Sequence, residues 1–150
     1  MPESFPAGIH AVQIDYDYLK RLLEAFAAAP RPTTDIRELA QAGVDYETDI
    51  FLFHIEILLD KGFIQRQDGE PGIGIVRSID DFITWNVLPL RLTASGHEFL
   101  DGLRNQEAMA VLKSKFKHAG IDTAKAIFKT VIEESVKGAV KAFLPGAGPG

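Results

Sequence analysis

Cysteine is absent from this sequence of 150 residues. Disulfide bonds and thiolate-based zinc sites are therefore excluded, and we predict a reducing compartment such as the cytoplasm. Long apolar segments are lacking as well. The longest uncharged apolar run covers residues 82–90, whereas a transmembrane helix needs ~18 or more apolar residues. The composition, with 46% hydrophobic and 25% charged residues, is that of an ordinary globular protein, and we predict no membrane segment.

Basic residues are scarce in the first two thirds of the chain. Residues 1–104 contain 9 Lys+Arg and 17 Asp+Glu, a net charge of −8. Residues 105–150 contain 7 Lys+Arg and 4 Asp+Glu, a net charge of +3. A protein that binds duplex DNA normally presents a basic face to the phosphates. Only the C-terminal third of this chain could supply such a face.

The spacing of apolar residues predicts three helices before any strand. Each begins after a residue whose side-chain oxygen can cap the helix. The first predicted helix is capped by Asp15 and ends near Ala29. The second is short, begins at Thr33, Thr34 or Asp35 and stops at Gly43. The third is capped by Asp45 and runs from about Tyr46 to Lys61.

Strands are predicted next, at residues 63–66, 75–77 and 82–92. Pro89 cannot donate a backbone hydrogen bond, so the last strand should be bulged there or lie at an edge. Residues 90–100 read as a strand that leads directly into a fourth helix, capped by Thr93 or Ser95. This order is that of a helix-turn-helix with a long wing.

Two further helical patterns follow. The first contains Met109, Leu112 and Phe116, and the second begins at Asp122 or Thr123. One half of the last helix is apolar and contains Ile127, Phe128, Val131, Ile132, Ala139 and Phe143. We therefore predict an α+β fold, mostly α: a winged helix-turn-helix with a long wing and extra C-terminal helices. Its predicted parts are an irregular lead-in (1–14), the winged-helix domain (15–104), a helical extension (105–144) and a flexible tail (145–150).

Two motifs resemble those of a known family. They are His54-x-x-x-Leu58-Leu59-x-x-Gly62-Phe63-Ile64 and Arg91-Leu92-Thr93-x-x-Gly96-His97-Glu98-Phe99-Leu100-Asp101-x-x-Arg104. Over residues 18–142 the chain is similar to a winged-helix family of bacterial and phage proteins, domain of unknown function 2513. The resemblance implies the fold and no particular activity.

The third helix is unusual for a helix that would enter the major groove. Its polar arc contains only carboxylates, Asp49, Glu56 and Asp60, where DNA-binding proteins place basic or amide side chains. Beside this arc runs an apolar stripe of Ile50, Phe53 and Ile57, and a second stripe consists of Phe51, Ile55, Leu58 and Leu59. One stripe can face the core. The other is either covered by the last helix or binds a protein partner or a second copy of the chain.

The first hypothesis for function is a non-catalytic regulatory or adaptor module, with a link to phages. It acts through protein contacts and self-associates as a homodimer through its C-terminal helices. The residues proposed for these contacts are Ile50, Phe53, Ile57, Phe128 and Ile132. The alternative is a DNA-binding transcriptional regulator, whose phosphate contacts would be Arg66, Arg77, Arg91, Lys129, Lys137 and Lys141.

No catalytic, cofactor or metal site is predicted. His97 and Glu98 resemble part of the zinc-protease helix motif, but Asp101 stands where the second zinc-binding histidine is required. A metal-dependent hydrolase is therefore the most remote of the three hypotheses. His54, which lies among apolar residues, is interpreted as a core histidine with satisfied hydrogen bonds.

Overall fold

A computed structural model describes residues 13–80 and 82–143. The predicted tail, most of the predicted lead-in and His10 lie outside this part. The fold is α+β and mostly helical, with small antiparallel sheets. Within the described residues the helices are α1 (Tyr16–Ala27), α2 (Ile36–Gln41), α3 (Asp49–Asp60), α4 (Ala94–Arg104), α5 (Gln106–Lys115) and α6 (Ile121–Phe143). The strands are β1 (Ile64–Arg66), β2 (Ile75–Arg77), β3 (Ile83–Trp85) and β4 (Leu90–Leu92).

The N-caps of the first two helices are confirmed, whereas the predicted cap of the third is wrong. Asp15 accepts a hydrogen bond from the backbone N–H of Tyr18, and Asp35 accepts from those of the second and third residues that follow it. In α3 the cap is Thr48, whose hydroxyl accepts from the N–H of Phe51 at 3.2 Å. Asp45 instead bonds to the N–H of Glu47 at 2.8 Å, because an aspartate readily closes a turn onto the residue two positions later.

Strands β1 to β4 form two antiparallel pairs, and the inner pair lies between the two strands of the outer pair in the sequence. β1 pairs with β4, and β2 pairs with β3, both antiparallel. The predicted strand 82–92 is interrupted around Pro89, whose carbonyl still accepts from the N–H of Gln67 at 2.9 Å. On the other side of β4, Thr34 forms an isolated antiparallel bridge to Leu90. The segment at Thr34, strand β4 and strand β1 therefore lie side by side. Strands β2 and β3 form a separate two-stranded sheet.

The core lies between the helices and β4. It is built from fully buried side chains of α1, α3 and α4, closed on one side by α5 and the first half of α6. The buried face of α6 is shorter than predicted, because Ala139 is exposed and every residue from 133 to 142 is exposed. The reason is length: α4 and α5 contain 11 and 10 residues and α6 contains 23. At about 1.5 Å per residue, the exposed residues 133–142 make up roughly 15 Å of α6. Phe116, which belongs to the predicted helical pattern with Met109 and Leu112, lies just after the end of α5 and is exposed.

His54 is buried and fully hydrogen-bonded, which confirms its interpretation as a core histidine. Its Nε2 accepts from the backbone N–H of Asp15 at 2.9 Å, so Nδ1 carries the proton and donates to the Ile50 carbonyl at 2.8 Å. The ring thus joins α3 to the start of α1. Burial lowers the pKa of His54 below its usual 6.5, an effect only partly opposed by the Ile50 carbonyl and the Asp15 carboxylate.

Acid should therefore destabilise the protein through His54. The pKa is lower in the folded than in the unfolded chain, so this contribution to stability is complete above pH 6.5 and is lost as the pH falls below it. Protonation also removes the acceptor for the Asp15 N–H. We expect the free energy of unfolding, measured by urea titration at pH 7.5 and 5, to fall less in His54→Gln than in the wild type. Glutamine keeps an acceptor and does not titrate. Equal decreases in the two proteins would contradict this role.

Candidate functional site

Helix α3 has three distinct faces. Phe51, Ile55 and Leu58 are fully buried in the core. A second face, with Leu52, Glu56 and Leu59, lies toward the β2–β3 hairpin. The third face contains Ile50, Phe53 and Ile57, which we call the α3 stripe, and is bordered by Asp49 and Asp60.

The β2–β3 hairpin folds back onto the second face of α3. Trp85 in β3 contacts the rings of Phe51 and Tyr46 edge-on, with centroid distances of 5.7 and 5.9 Å. Arg77 in β2 donates to Glu56 in α3 at 3.0 Å. The carboxylate at position 56 is therefore paired, and this face of the helix is occupied by the chain's own hairpin.

The α3 stripe has no such cover among the described residues. Ile50 is 41% exposed, and Phe53 and Ile57 are half-buried. Helix α6 packs against α4 and α5 rather than along α3. Only its first turn reaches α3, where Lys61 donates to Asp122 at 2.9 Å near Ile57. The first interpretation of the stripe is coverage by the last helix. That helix does not cover Ile50 and Phe53.

A second group of exposed apolar side chains lies at the end of the β2–β3 hairpin. Ile79 is 99% exposed and Phe82 is 70% exposed, and we call this pair the hairpin tip. The turn is held by Ser78, whose hydroxyl lies within hydrogen-bond distance of the Asp80 carboxylate and the Phe82 carbonyl. Phe82 also lines a cleft with Asp49 at the first turn of α3. Phe82 of the hairpin tip therefore lies beside the first turn of α3, where Asp49 borders the α3 stripe.

The arginines predicted to contact DNA phosphates are engaged within the chain. Arg66 donates to both carboxylate oxygens of Asp68, and this hydrogen bonding lowers the pKa of Asp68. Arg77 is paired with Glu56, and Arg91 donates to the Leu92 carbonyl at 3.3 Å.

The lysines predicted for the same role lie elsewhere. Lys129, Lys137 and Lys141 are exposed along α6, which packs on α4 and α5 and not on the hairpin. The six predicted phosphate contacts are thus divided between three strands, β1, β2 and β4, and helix α6.

A family model with the description "Hypothetical protein (DUF2513)" matches residues 13–122. The chain belongs to this family. The match is shorter than the expected 18–142 at its C-terminal end, and all but the first two residues of α6 lie beyond it. Neither a curated protein nor a solved structure matches the chain.

The two motifs that carry the DUF2513 resemblance meet in the structure and form one junction. The N–H of Thr93 donates to the Phe63 carbonyl at 2.9 Å, and its hydroxyl donates to the Gly62 carbonyl. The same hydroxyl caps α4 by accepting from the N–H of Gly96 at 3.1 Å. The rings of Phe63 and Phe99 stack with centroids 4.8 Å apart. These motif residues therefore hold the end of α3 to the start of α4, which is a structural role.

Phe128 and Ile132, proposed from the sequence as contact residues, line a groove between α4 and α6. Phe128 is only 4% exposed and lies 5.3 Å from the ring of Phe99, whereas Ile132 is half-buried. The groove has a volume of about 560 Å³, an apolar floor and charged rims on both helices. The DUF2513 match includes its α4 wall but not its α6 wall. Sequence patterns did not reveal the groove, because it depends on how two distant helices cross.

The residues of the remote enzymatic hypothesis lie at the surface. His97 and Glu98 are both exposed on α4. Among residues 13–80 and 82–143 of this DUF2513 protein, no three His, Asp or Glu side chains are grouped so as to hold a metal ion. No helix of the same residues is both long and apolar enough to cross a membrane.

Proposed function

We propose that this chain is a non-catalytic winged-helix module that binds a protein partner through the α3 stripe and the hairpin tip. One observation carries the proposal: the α3 stripe is apolar, bordered by carboxylates and, at Ile50 and Phe53, not covered by α6. Apolar patches of this kind on a protein surface mark sites of interaction with other proteins. The role that fits such a module is regulatory or adaptor in kind.

The order of elements supports the winged-helix arrangement. Three helices precede the β1–β4 pair, and α4 follows it directly, as in a helix-turn-helix with a wing. The bridge from Thr34 to Leu90 adds an extended segment between α1 and α2 to the same small sheet. The β2–β3 hairpin then corresponds to the distal part of a long wing.

The charge around the site favours a basic partner. Asp49 and Asp60 border the α3 stripe, Asp80 lies in the hairpin turn, and no lysine or arginine lies within the third helix itself. Carboxylates at a phosphate surface would oppose the release of counterions that drives DNA binding. The partner that complements this surface is a protein segment with apolar side chains flanked by lysine or arginine.

A pair of peptides tests this proposal. Both are amphipathic helices with the same apolar face, one flanked by lysines and the other by glutamates. We expect the wild type to bind the lysine peptide at least ~10-fold more tightly, as measured by fluorescence anisotropy. Ile50→Ser combined with Phe53→Ser should remove the binding. Val87→Ser, which changes another exposed apolar residue of the hairpin segment, is the control.

Two outcomes would contradict the proposal. Equal affinity for both peptides would show that the carboxylates do not select the partner. Binding to a DNA duplex that falls steeply between ~50 and ~200 mM salt would instead support the alternative, a DNA-binding transcriptional regulator. The double serine variant separates peptide binding from DNA binding. It should lose affinity for the peptide but keep affinity for DNA, because it retains the arginines and lysines that would contact phosphates.

A further inference from the structure

The second half of α6 has no packing partner among residues 13–80 and 82–143. Residues 135–142, which we call the distal segment, are all exposed. They include Gly138, which is unfavourable in a helix interior, and a side chain at that position would meet no other atom within 4 Å. Packing of its exposed apolar side chains against another surface would stabilise the distal segment. Its own α4 and α5 do not supply this surface, because every residue of the segment is exposed.

A single apolar strip connects the groove to the distal segment. Phe128, Ile132, Val136 and Val140 are spaced four residues apart and so lie along one side of α6. The first two line the groove. The last two continue past the edge of the domain, where Val136 is 53% exposed and Val140 is 46% exposed.

We propose that the groove between α4 and α6 is filled by the distal segment of a second copy of the chain. In this dimer the two α6 helices run antiparallel, and each copy places its distal segment in the groove of the other. An antiparallel pair centred at residue 135 brings residues 135–142 of one helix opposite residues 128–135 of its copy. Two-fold symmetry then repeats the same contact, so one strip serves both as the inserted surface and as part of the groove wall.

The charges along the strip complement each other in this arrangement. Glu133 and Lys137 lie on the same flank of the strip, one turn apart, and both are exposed. When the helices are antiparallel, Lys137 of one copy stands opposite Glu133 of the other, and symmetry forms the pair twice. Lys137 is only loosely engaged within its own helix, with Nζ 4.0 Å from Glu134 Oε1. These charges select a second copy of this chain over an unrelated apolar helix.

The apolar part of the interface is tested by Val136→Glu combined with Val140→Glu in the full chain. Both positions are exposed, and glutamate favours helix formation more than valine does, so the fold should be retained. We expect the wild type to dimerise and the variant to associate at least ~10-fold more weakly, as measured by analytical ultracentrifugation over a dilution series. The control is Val87→Glu, which changes another exposed valine. It should dimerise as strongly as the wild type.

The charged pairs allow a sharper test by mixing. Glu133→Lys leaves only positive charges at these two positions, and Lys137→Glu leaves only negative ones. Each variant alone should dimerise about 10-fold more weakly than the wild type, because like charges then face each other. An equimolar mixture of the two should form a heterodimer with near wild-type affinity. Ion pairs within one helix cannot produce this rescue, because neither chain contains both signs at positions 133 and 137.

Three results would overturn the proposal: a monomeric wild type at the highest soluble concentration, a dimer unaffected by the two glutamates, or no rescue in the mixture. The proposal is independent of the α3 stripe. The Ile50→Ser and Phe53→Ser variant should retain the dimer, so that loss of peptide binding and loss of dimerisation are read separately.

Discussion

Replacing Gly96 with alanine is expected to lower the free energy of unfolding by about 3 kcal/mol or more. A Cβ atom at this position would lie 2.1 Å from the backbone carbonyl oxygen of Phe63. That oxygen cannot move away easily, because it accepts the N–H of Thr93 in the junction between α3 and α4. The added methyl group would therefore separate the two segments that the family motifs join. Urea unfolding followed by circular dichroism measures the effect.

Gly138→Ala is the matched control for this substitution. It also replaces a helical glycine, but a Cβ there meets nothing within 4 Å. We expect the free energy of unfolding to rise or stay within about 1 kcal/mol, because alanine favours the helix. Equal stability of Gly96→Ala and Gly138→Ala would contradict the close approach of α4 to the Phe63 carbonyl.

Phe128→Ala is expected to cost about 3–5 kcal/mol of stability. The ring is 4% exposed, packs against Phe99 and fills the space above Gly102, where an added Cβ would lie 2.2 Å from the Phe128 ring. Alanine lacks the ring that fills this space, so the substitution should leave a cavity between α4 and α6. Chemical unfolding of the purified variant measures the loss.

The control for Phe128→Ala is the same substitution at an exposed ring. Phe116 lies just beyond the end of α5 and is exposed, so Phe116→Ala should change stability by roughly 1 kcal/mol or less. A small effect at both positions would mean that α6 is not docked on α4. Because loss of the Phe128 ring should disturb folding, a substitution there cannot report on dimerisation alone. The exposed residues Val136 and Val140 test the dimer instead.

Much of the local structure is predictable from short stretches of sequence. Asp15 caps α1 as predicted, and Asp35 is the one of three predicted candidates that caps α2, because a cap depends on residues within one turn of it. The error at Asp45 has the same local origin, since Thr48 competes for the cap and the aspartate closes the preceding turn. The burial of His54 is likewise evident from its apolar neighbours on α3. The family resemblance is confirmed over residues 13–122, and its two motifs proved to be parts of one contact.

The sequence by itself determined that α3 carries an apolar stripe beside carboxylates, because helical periodicity decides which residues share a face. It also determined that positive charge is concentrated in the last third of the chain. Only the tertiary structure decided what each face meets. The β2–β3 hairpin, rather than α6, packs on the second face of α3, and Phe128 is buried while Val136 is exposed on the same strip. These outcomes depend on the relative lengths and crossings of elements far apart in the chain, which periodicity within one element does not specify.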